Sequence, residues 1–310
     1  MKFNKPKFWD DKNSIISILL FPVSLITLFI IFLRKKIIKT IKFDIPIICI
    51  GNIYVGGTGK TPAAIFLANE LLRLGKNPVI LRKFYQSHSD EHAFIKNQFE
   101  NLILCNNRIE GIRKAKQFNY DTVILDDGFQ DCRIKKSINI LCFNERQLVG
   151  NGRLIPSGPL RDNLNSLKEA DIILINGSKN ENFEKKILEI NKNLKIFYSS
   201  YEPKNIDDFK NKKLLAIAGI GNPSNFFELL EKHNLNIEDR LIFPDHYQFN
   251  QIEINKIIEQ SEKKQCQIVM TEKDYFKVKH FNIQKSGYLE VSLKINDKKD
   301  FINILNSIYE

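Results

Sequence analysis

Three observations predict an α/β fold: short apolar runs alternating with amphipathic patterns, a glycine-rich loop between an apolar run and a helical one, and a long uncharged opening segment. The expected architecture is a P-loop NTPase-type parallel sheet with helices on both faces, a second, smaller α/β lobe and an N-terminal hydrophobic helix. Residues 1–36 are read as a membrane-anchoring helix, 37–205 as the loop-bearing domain, and 206–310 as a C-terminal lobe closing an active-site cleft. A chain of 310 residues is long enough for two such cores.

The opening segment, SIISILLFPVSLITLFIIFL at residues 14–33, runs twenty positions without a charge. That is about the length that crosses a bilayer core. An all-round apolar helix is unusual in a soluble core, and no small-x-small site follows to suggest a cleaved signal. Arg34, Lys35, Lys36, Lys39 and Lys42 come next, so the positive-inside tendency puts the remaining chain in the cytoplasm. Lys2, Lys5, Lys7 and Lys12 on the other flank, together with Pro22 and three serines, leave a spanning and a single-leaflet anchor both open.

Beyond residue 44, DIPIICI reads as a buried strand and TPAAIFLANELLRLGK as an amphipathic helix with Pro62 in its first turn. NPVILR, YDTVILDD, INILCF and ADIILIN are further strand-like runs ended by polar or turn residues. The pattern resumes after KIFYSSYEPKN. KLLAIAGIG is a strand, NPSNFFELLEKHN a helix, DRLIFPDH a strand entering a loop, and QIEINKIIEQSEKK a helix. QIVMTEKD and GYLEVSLKI add strands before a last helix in DFINILNSIYE. Such alternation favours a parallel sheet covered on both faces.

Composition is that of a folded protein, with 43% hydrophobic and 27% charged residues. Lys and Arg exceed Asp and Glu by 47 to 36, a net charge of +11 that favours an anionic partner: a phospholipid surface, a nucleic acid or a phosphorylated substrate. The five cysteines are scattered without a CxxC pair, which suggests neither a zinc ribbon nor a disulfide framework.

GNIYVGGTGKTP, residues 51–62, carries the first chemistry. The phosphate-loop pattern is Gly, four residues, then Gly-Lys-Ser/Thr. Gly59, Lys60 and Thr61 meet its end, but Tyr54 stands where the first Gly belongs, ahead of Val55, Gly56, Gly57 and Thr58. The glycines let successive N–H groups converge on phosphate oxygens at a helix N-terminus. Lys60 would reach the terminal phosphates and the Thr61 hydroxyl would ligate magnesium. Partitioning-type ATPases place a lysine just before the double glycine, and here Val55 occupies that position. The loop requires an acid at the end of an apolar strand. TVILDDGFQ supplies Asp126 and Asp127, one for the metal's shell and one for another task, with the division open. Guanine recognition would want Asn/Thr-Lys-x-Asp, whereas Thr271-Glu272-Lys273-Asp274 has its lysine one place late, so ATP is the expected nucleotide. HSDEH, His88 to His92, also fits the H-x-x-E-H zinc spacing, which would need a helical setting and a third ligand downstream.

GNGRLIPSGPLRD, residues 150–162, settles the direction. With GNIYVGGTGKTP, AGIGNPSNFF, FPDHYQF and TEKDYFK in the same order, it makes the chain resemble the tetraacyldisaccharide 4'-kinase family, the inner-membrane lipid A kinases, over nearly its whole length. In that family the first phosphate-loop position is commonly not Gly. The resemblance implies transfer of the ATP γ-phosphate to the 4'-hydroxyl of a tetraacylated glucosamine disaccharide 1-phosphate, giving lipid IVA. It implies ATP and Mg2+ as cofactors, a glycolipid and a membrane surface as partners, no nucleic acid, a monomer, and residence on the cytoplasmic face of the bacterial inner membrane. Asp90 in HSDEH and His246 in FPDH fall on the family's working acid and histidine, beside Lys60 and Asp127. Arg82, Arg108, Gln130 and Arg161 fall among the implied substrate contacts.

The chain departs from the family at several points. SRGYG reads LRKFYQ here, the His after DDGFQ is Asp131, PLRE reads PLRD with Asp162, and the glycine of GDE is Ser89. These changes touch loop shape and acceptor contacts rather than the phosphate loop. A membrane-associated P-loop ATPase switch without a lipid acceptor is the alternative, and it would leave the FPDH and TEKD motifs without a task.

Overall fold

In the computed structural model, which describes residues 5–86, 89–245 and 247–310, the chain forms two compact units that interleave along the sequence. One comprises Lys5–Phe84, Asn101–Ser200 and Lys294–Glu310; the other contains Tyr85–Glu100 and Tyr201–Leu293. The sequence reading kept 85–100 with the loop-bearing domain. Packing assigns it to the C-terminal unit, because the helix Ser89–Gln98 lies against the helix Glu272–Val278. Asn97 and Gln98 both donate to the buried Glu272 carboxylate, at 3.0 and 2.9 Å.

The larger unit opens with α1, Ile15–Ile37, a helix that continues through Pro22. Its 23 residues span about 34 Å, and it is the one described helix long and apolar enough to cross a membrane. Only Ser17 and Ser24 are buried, while Ile15 and Leu19 are 74% and 72% exposed. A core helix would show the reverse pattern.

The strands β1 (Ile47–Gly51), β2 (Pro78–Lys83), β3 (Leu102–Cys105), β4 (Thr122–Asp126), β5 (Ile138–Asn144), β6 (Ile172–Asn176) and β7 (Lys195–Pro203) build the larger sheet. Its order is β7-β6-β5-β1-β4-β2-β3, with Val291–Ile295 added at the edge beside β7. The pairings from β7 to β3 are parallel. β1 and β4 are buried at every residue, as expected of central strands covered on both faces. Among the helices of this unit are α2 (Lys60–Arg73), which follows β1, and the helix Arg108–Gln117, which follows β3. Register then positions the chemistry. Ile50 lies opposite Asp126, and Arg82 also lies opposite Asp126, so the exits of β1, β2 and β4 are neighbours. Carboxyl ends of parallel strands are where open α/β sheets bind ligands.

The smaller unit carries α3, Ser89–Gln98, and a four-stranded parallel sheet of β8 (Lys213–Ala218), β9 (Asn236–Ile242), β10 (Gln267–Thr271) and β11 (Ser286–Leu289), ordered β11-β10-β8-β9. Phe226, Phe227 and Leu230 pack in one apolar cluster with Leu214 and Ala216, and Ile254 and Ile257 in another with Leu215 and Ile217. Such alternation along β8 is what a sheet covered on both faces requires.

Three expectations change in detail. KIFYSSYEPKN, read as a break, is strand β7. GYLEVSLKI, read as one strand, divides at Glu290 between the two sheets. QIVMTEKD ends its strand at Thr271, whose hydroxyl accepts the Asp274 N–H at 3.2 Å and starts the helix Glu272–Val278. A threonine with an acid three residues on is an N-cap signature that overrides strand propensity.

Candidate active site

β1 delivers the chain into the loop 52–59, and α2 begins at Lys60. Gly59 sits at the helix N-cap with φ 88°, in the left-handed region that glycine enters without Cβ strain. It has no capping side chain, so the first-turn N–H groups have no side-chain cap. Gly56, Gly57, Thr58 and Gly59 thus form a turn of the kind that binds anions at a helix N-terminus.

Tyr54 does not belong to that turn. Its side chain is buried in the main core cluster, with the Lys5 ammonium 5.5 Å from the ring centroid. Its neighbours pair with the 159–161 segment: Val55 N–H donates to Pro159 at 2.9 Å, and Arg161 N–H donates to Ile53 at 2.7 Å. A bulky residue at this position ties the loop's entry to the core. Val55 shares that role through its backbone.

Asn52, which sequence reasoning passed over, organises the loop. It is fully buried, and its Nδ2 donates to Thr58 Oγ1 at 2.9 Å and to the Gly56 carbonyl at 3.3 Å. Its Oδ1 accepts from Arg161, and its carbonyl accepts from Gln130 Nε2 at 2.8 Å and Arg161 Nη2 at 3.2 Å. An Asn directly after a strand reads as a turn residue, so only its burial reveals the function.

The two aspartates separate cleanly. Thr61 Oγ1 donates to Asp126 Oδ2 at 3.1 Å, and Arg82 Nη1 bonds both that oxygen and Thr61 Oγ1, the latter at 3.1 Å. The other oxygen of Asp126, Oδ1, is buried and has no hydrogen-bond partner among the described residues. One open carboxylate oxygen beside a threonine hydroxyl is a suitable donor set for a small hard cation such as Mg2+. Asp127 faces a different set. Arg161 holds it with both nitrogens, Nη2 to Oδ1 at 2.6 Å and Nη1 to Oδ2 at 3.2 Å, and Lys60 Nζ is 3.7 Å from Oδ1. Burial opposes its ionisation, but the Lys60 and Arg161 charges outweigh that and hold the carboxyl far below the ordinary carboxylate range. Burial also pulls the Lys60 ammonium below its usual range, with Asp127 acting against the shift.

Gln130 and Arg161, expected as substrate contacts, therefore lie at the loop. Arg108 lies at the turn after β4: buried, it donates to the Asp127 carbonyl at 2.6 Å and pairs with Asp131 at 3.4 Å. Asp131, where the family has His, is gripped by Arg133 through Nε at 2.8 Å and Nη2 at 2.7 Å. The substitution replaces an imidazole with a counter-charge for two arginines.

Asp90 stands in the other unit, on the first turn of α3, and is buried. Lys273 and Lys277 each place Nζ 3.7 Å from its Oδ2. Lys277 is fixed by Asp274 at 2.7 Å and by the Gly219 carbonyl at 3.0 Å, and Lys273 by Glu91 at 3.0 Å and Asp245 at 2.9 Å. Lys273 of the TEKD motif and Lys277, one turn on, thus give Asp90 a basic support. His246 lies outside the described residues, as does His88 of the zinc-like spacing. Among the described residues no group of three or more His, Cys, Asp or Glu could hold a metal ion.

A family model described as Tetraacyldisaccharide-1-P 4'-kinase matches residues 16–310. The chain is 38% identical to the tetraacyldisaccharide 4'-kinase of Pelagibacter ubique, covering 100% of this chain and 99% of that one. It is 35% identical to the protein of the same name from Rickettsia canadensis, covering 99% and 96% respectively. The fold is similar to that of LpxK from Aquifex aeolicus, solved in complex with ATP, with a TM-score of 0.74, 22% identity and coverage of 96% of this chain and 100% of that one.

The Asp131 cluster makes a pH-dependent contribution to stability. Burial opposes its ionisation, but Arg133 and Arg108 lower its pKa to about 2. A depressed carboxylate stabilises the fold above its unfolded pKa of about 4, and that stabilisation is lost as pH falls through about 2. Urea unfolding of wild type and Asp131→Asn should therefore differ by about 2 kcal/mol at pH 6, with the gap closing toward pH 2. A gap independent of pH would contradict this account.

Proposed function

This chain belongs to the tetraacyldisaccharide-1-P 4'-kinase family, and from that premise we propose how its own residues carry the reaction. It transfers the γ-phosphate of ATP to the 4'-hydroxyl of a tetraacylated glucosamine disaccharide 1-phosphate, giving lipid IVA in lipid A biosynthesis. The observation that carries this reading is the convergence of Lys60, Thr61, Asp126, Asp127 and Arg161 at the mouth of one phosphate loop.

The ATP phosphates bind the N–H groups of the 56–61 turn at the start of α2. Lys60 neutralises charge that develops on the transferring phosphoryl group. Thr61 and Asp126 would hold Mg2+, which when bound shields the phosphate oxygens. Asp127 keeps Lys60 and Arg161 oriented toward the same place, a positioning role distinct from metal binding. Arg82 adds positive charge beside Thr61 and Asp126.

Asp90 orients the 4'-hydroxyl and accepts its proton as the oxygen attacks the γ-phosphorus. ADP leaves with the electrons of the broken bond. His246 adjusts the charge on Asp90 in this scheme. Lys273 and Lys277 fix the carboxylate in place, which is what a positioned base needs. The acceptor is a lipid, and α1 presents an apolar surface that fits a bilayer. The basic run 34–42 at its end supports residence on the cytoplasmic face of the inner membrane.

ADP release in detergent micelles tests the reaction. It should rise strongly on adding the disaccharide lipid, and Asp90→Ala should abolish most of that rise while ATP still binds. Equal release with and without lipid would favour a bare ATPase switch. Magnesium titration separates the two aspartates. Asp126→Asn should raise the half-saturating Mg2+ concentration by about tenfold or more, whereas Asp127→Asn should lower kcat with little change in that concentration. The opposite pattern would reverse their roles.

A further inference from the structure

The serines of α1 raise a question its apolar residues do not. A helix that serves only as an anchor needs lipid-facing side chains and no particular rotation. Here the two buried positions of the helix are Ser17 and Ser24, seven residues apart and so on one face. The helix turns its polar stripe toward the protein and its apolar surface outward.

Both serines bond one segment. Ser17 Oγ donates to the Ser157 carbonyl at 2.6 Å and accepts from Asn151 Nδ2 at 3.0 Å and Arg153 Nη1 at 2.7 Å. The Ser157 hydroxyl returns a bond to the Ser17 carbonyl at 2.6 Å. Ser24 Oγ donates to the Leu154 carbonyl at 2.8 Å and accepts the Ser157 N–H at 3.0 Å. At the far end of the helix, Lys35 pairs with the buried Asp162 at 3.0 Å and with Glu169 at 2.9 Å. The helix therefore holds residues 151–162 at both ends.

That segment is closed on itself and passes directly to the phosphate loop. Leu160 N–H donates to Arg153 at 3.0 Å, Ile155 N–H to Leu160 at 3.0 Å, and Gly158 N–H to Leu154 at 2.8 Å. It admits no side chain at Gly158, where a Cβ would stand 2.1 Å from Asn151 Oδ1 and 2.4 Å from the Arg153 carbonyl. Its next residues pair with Ile53 and Val55 and deliver Arg161 to Asp127 and Asn52. A shift of α1 in rotation or depth must break buried hydrogen bonds or drag this segment with it.

We propose that α1 is a positioning element of the phosphate site as well as an anchor, acting through Ser17, Ser24 and Lys35 on the 151–162 segment, and through that segment on Arg161 and the loop. The helix thereby ties the nucleotide site to correct seating in an apolar layer. The activity readout rests on the kinase reading; the structural readout below does not.

The test uses the full chain in detergent micelles. Ser24→Ala removes two of the bonds with minimal change in volume. Hydrogen exchange at the Val55 and Arg161 amides, which bond Pro159 and Ile53, should then accelerate by about tenfold or more; unchanged exchange at both would overturn the proposal. Ser17→Ala/Ser24→Ala should still sediment with membranes before detergent extraction, and in micelles its KM for ATP should be raised about tenfold while its KM for the lipid changes less than about twofold. In an Arg161→Ala background the same pair should add almost nothing, because the pathway is already cut. Losses confined to membrane retention or lipid KM, or a full additive loss over Arg161→Ala, would overturn it. Absence of lipid phosphorylation by the wild type would count against the kinase reading alone, leaving the exchange result to decide this one.

Discussion

The hydrogen-bond knot of Asn52, Arg161 and Asp127 is the constraint on which the phosphate site depends. It joins three stretches distant in sequence: the exit of β1, the exit of β4 and the 150–162 segment. Each partner is needed because the others are buried or charged. Asn52 has no access to water, so its amide must find protein partners, and it finds them in Thr58, Gly56 and Arg161. Asp127 is partly exposed, but its charge sits between Arg161 and Lys60, and each of the three offsets the others. The chemistry follows from this arrangement. With Asp127 committed to the two basic groups, Asp126 is left with one open oxygen beside Thr61.

Much of this was legible in the residues. β1 and β4 stand out because every residue in them is buried, which writes an unbroken apolar run into the chain. That Lys60 and Thr61 would meet the acidic pair was readable because the phosphate-loop pattern restricts residue type at fixed spacing. The rest depended on contacts between distant segments. The different partners of Asp126 and Asp127 come from Arg82 on β2 and from residue 161, which local spacing does not report. Residues 85–100 join the C-terminal unit because Glu272, some 170 positions away, receives Asn97 and Gln98. Ser17 and Ser24 look like defects in a spanning helix, and the structure makes them its attachment.

The misfit at Tyr54 takes on a definite meaning in this setting. A glycine at that position would contribute freedom the loop does not use, since the anion-binding turn begins at Gly56. The aromatic ring instead fills the core while the flanking backbone pairs with residues 159–161. The departures from family pattern behave similarly. Asp131 exchanges an imidazole for a carboxylate that serves Arg108 and Arg133, and Asp162 remains long enough to reach Lys35. These departures change side chains that support the 52–61 loop and leave Gly56 through Thr61 unaltered.

The central claim is that these residues move a phosphoryl group onto a lipid hydroxyl. Mass spectrometry of the lipid recovered after incubation with the full-length protein, ATP and Mg2+ tests it most directly. The account predicts a product heavier by one phosphoryl group, with the new phosphate at the 4'-position and none formed by Lys60→Ala. Recovery of the lipid at its original mass while ADP accumulates would contradict it.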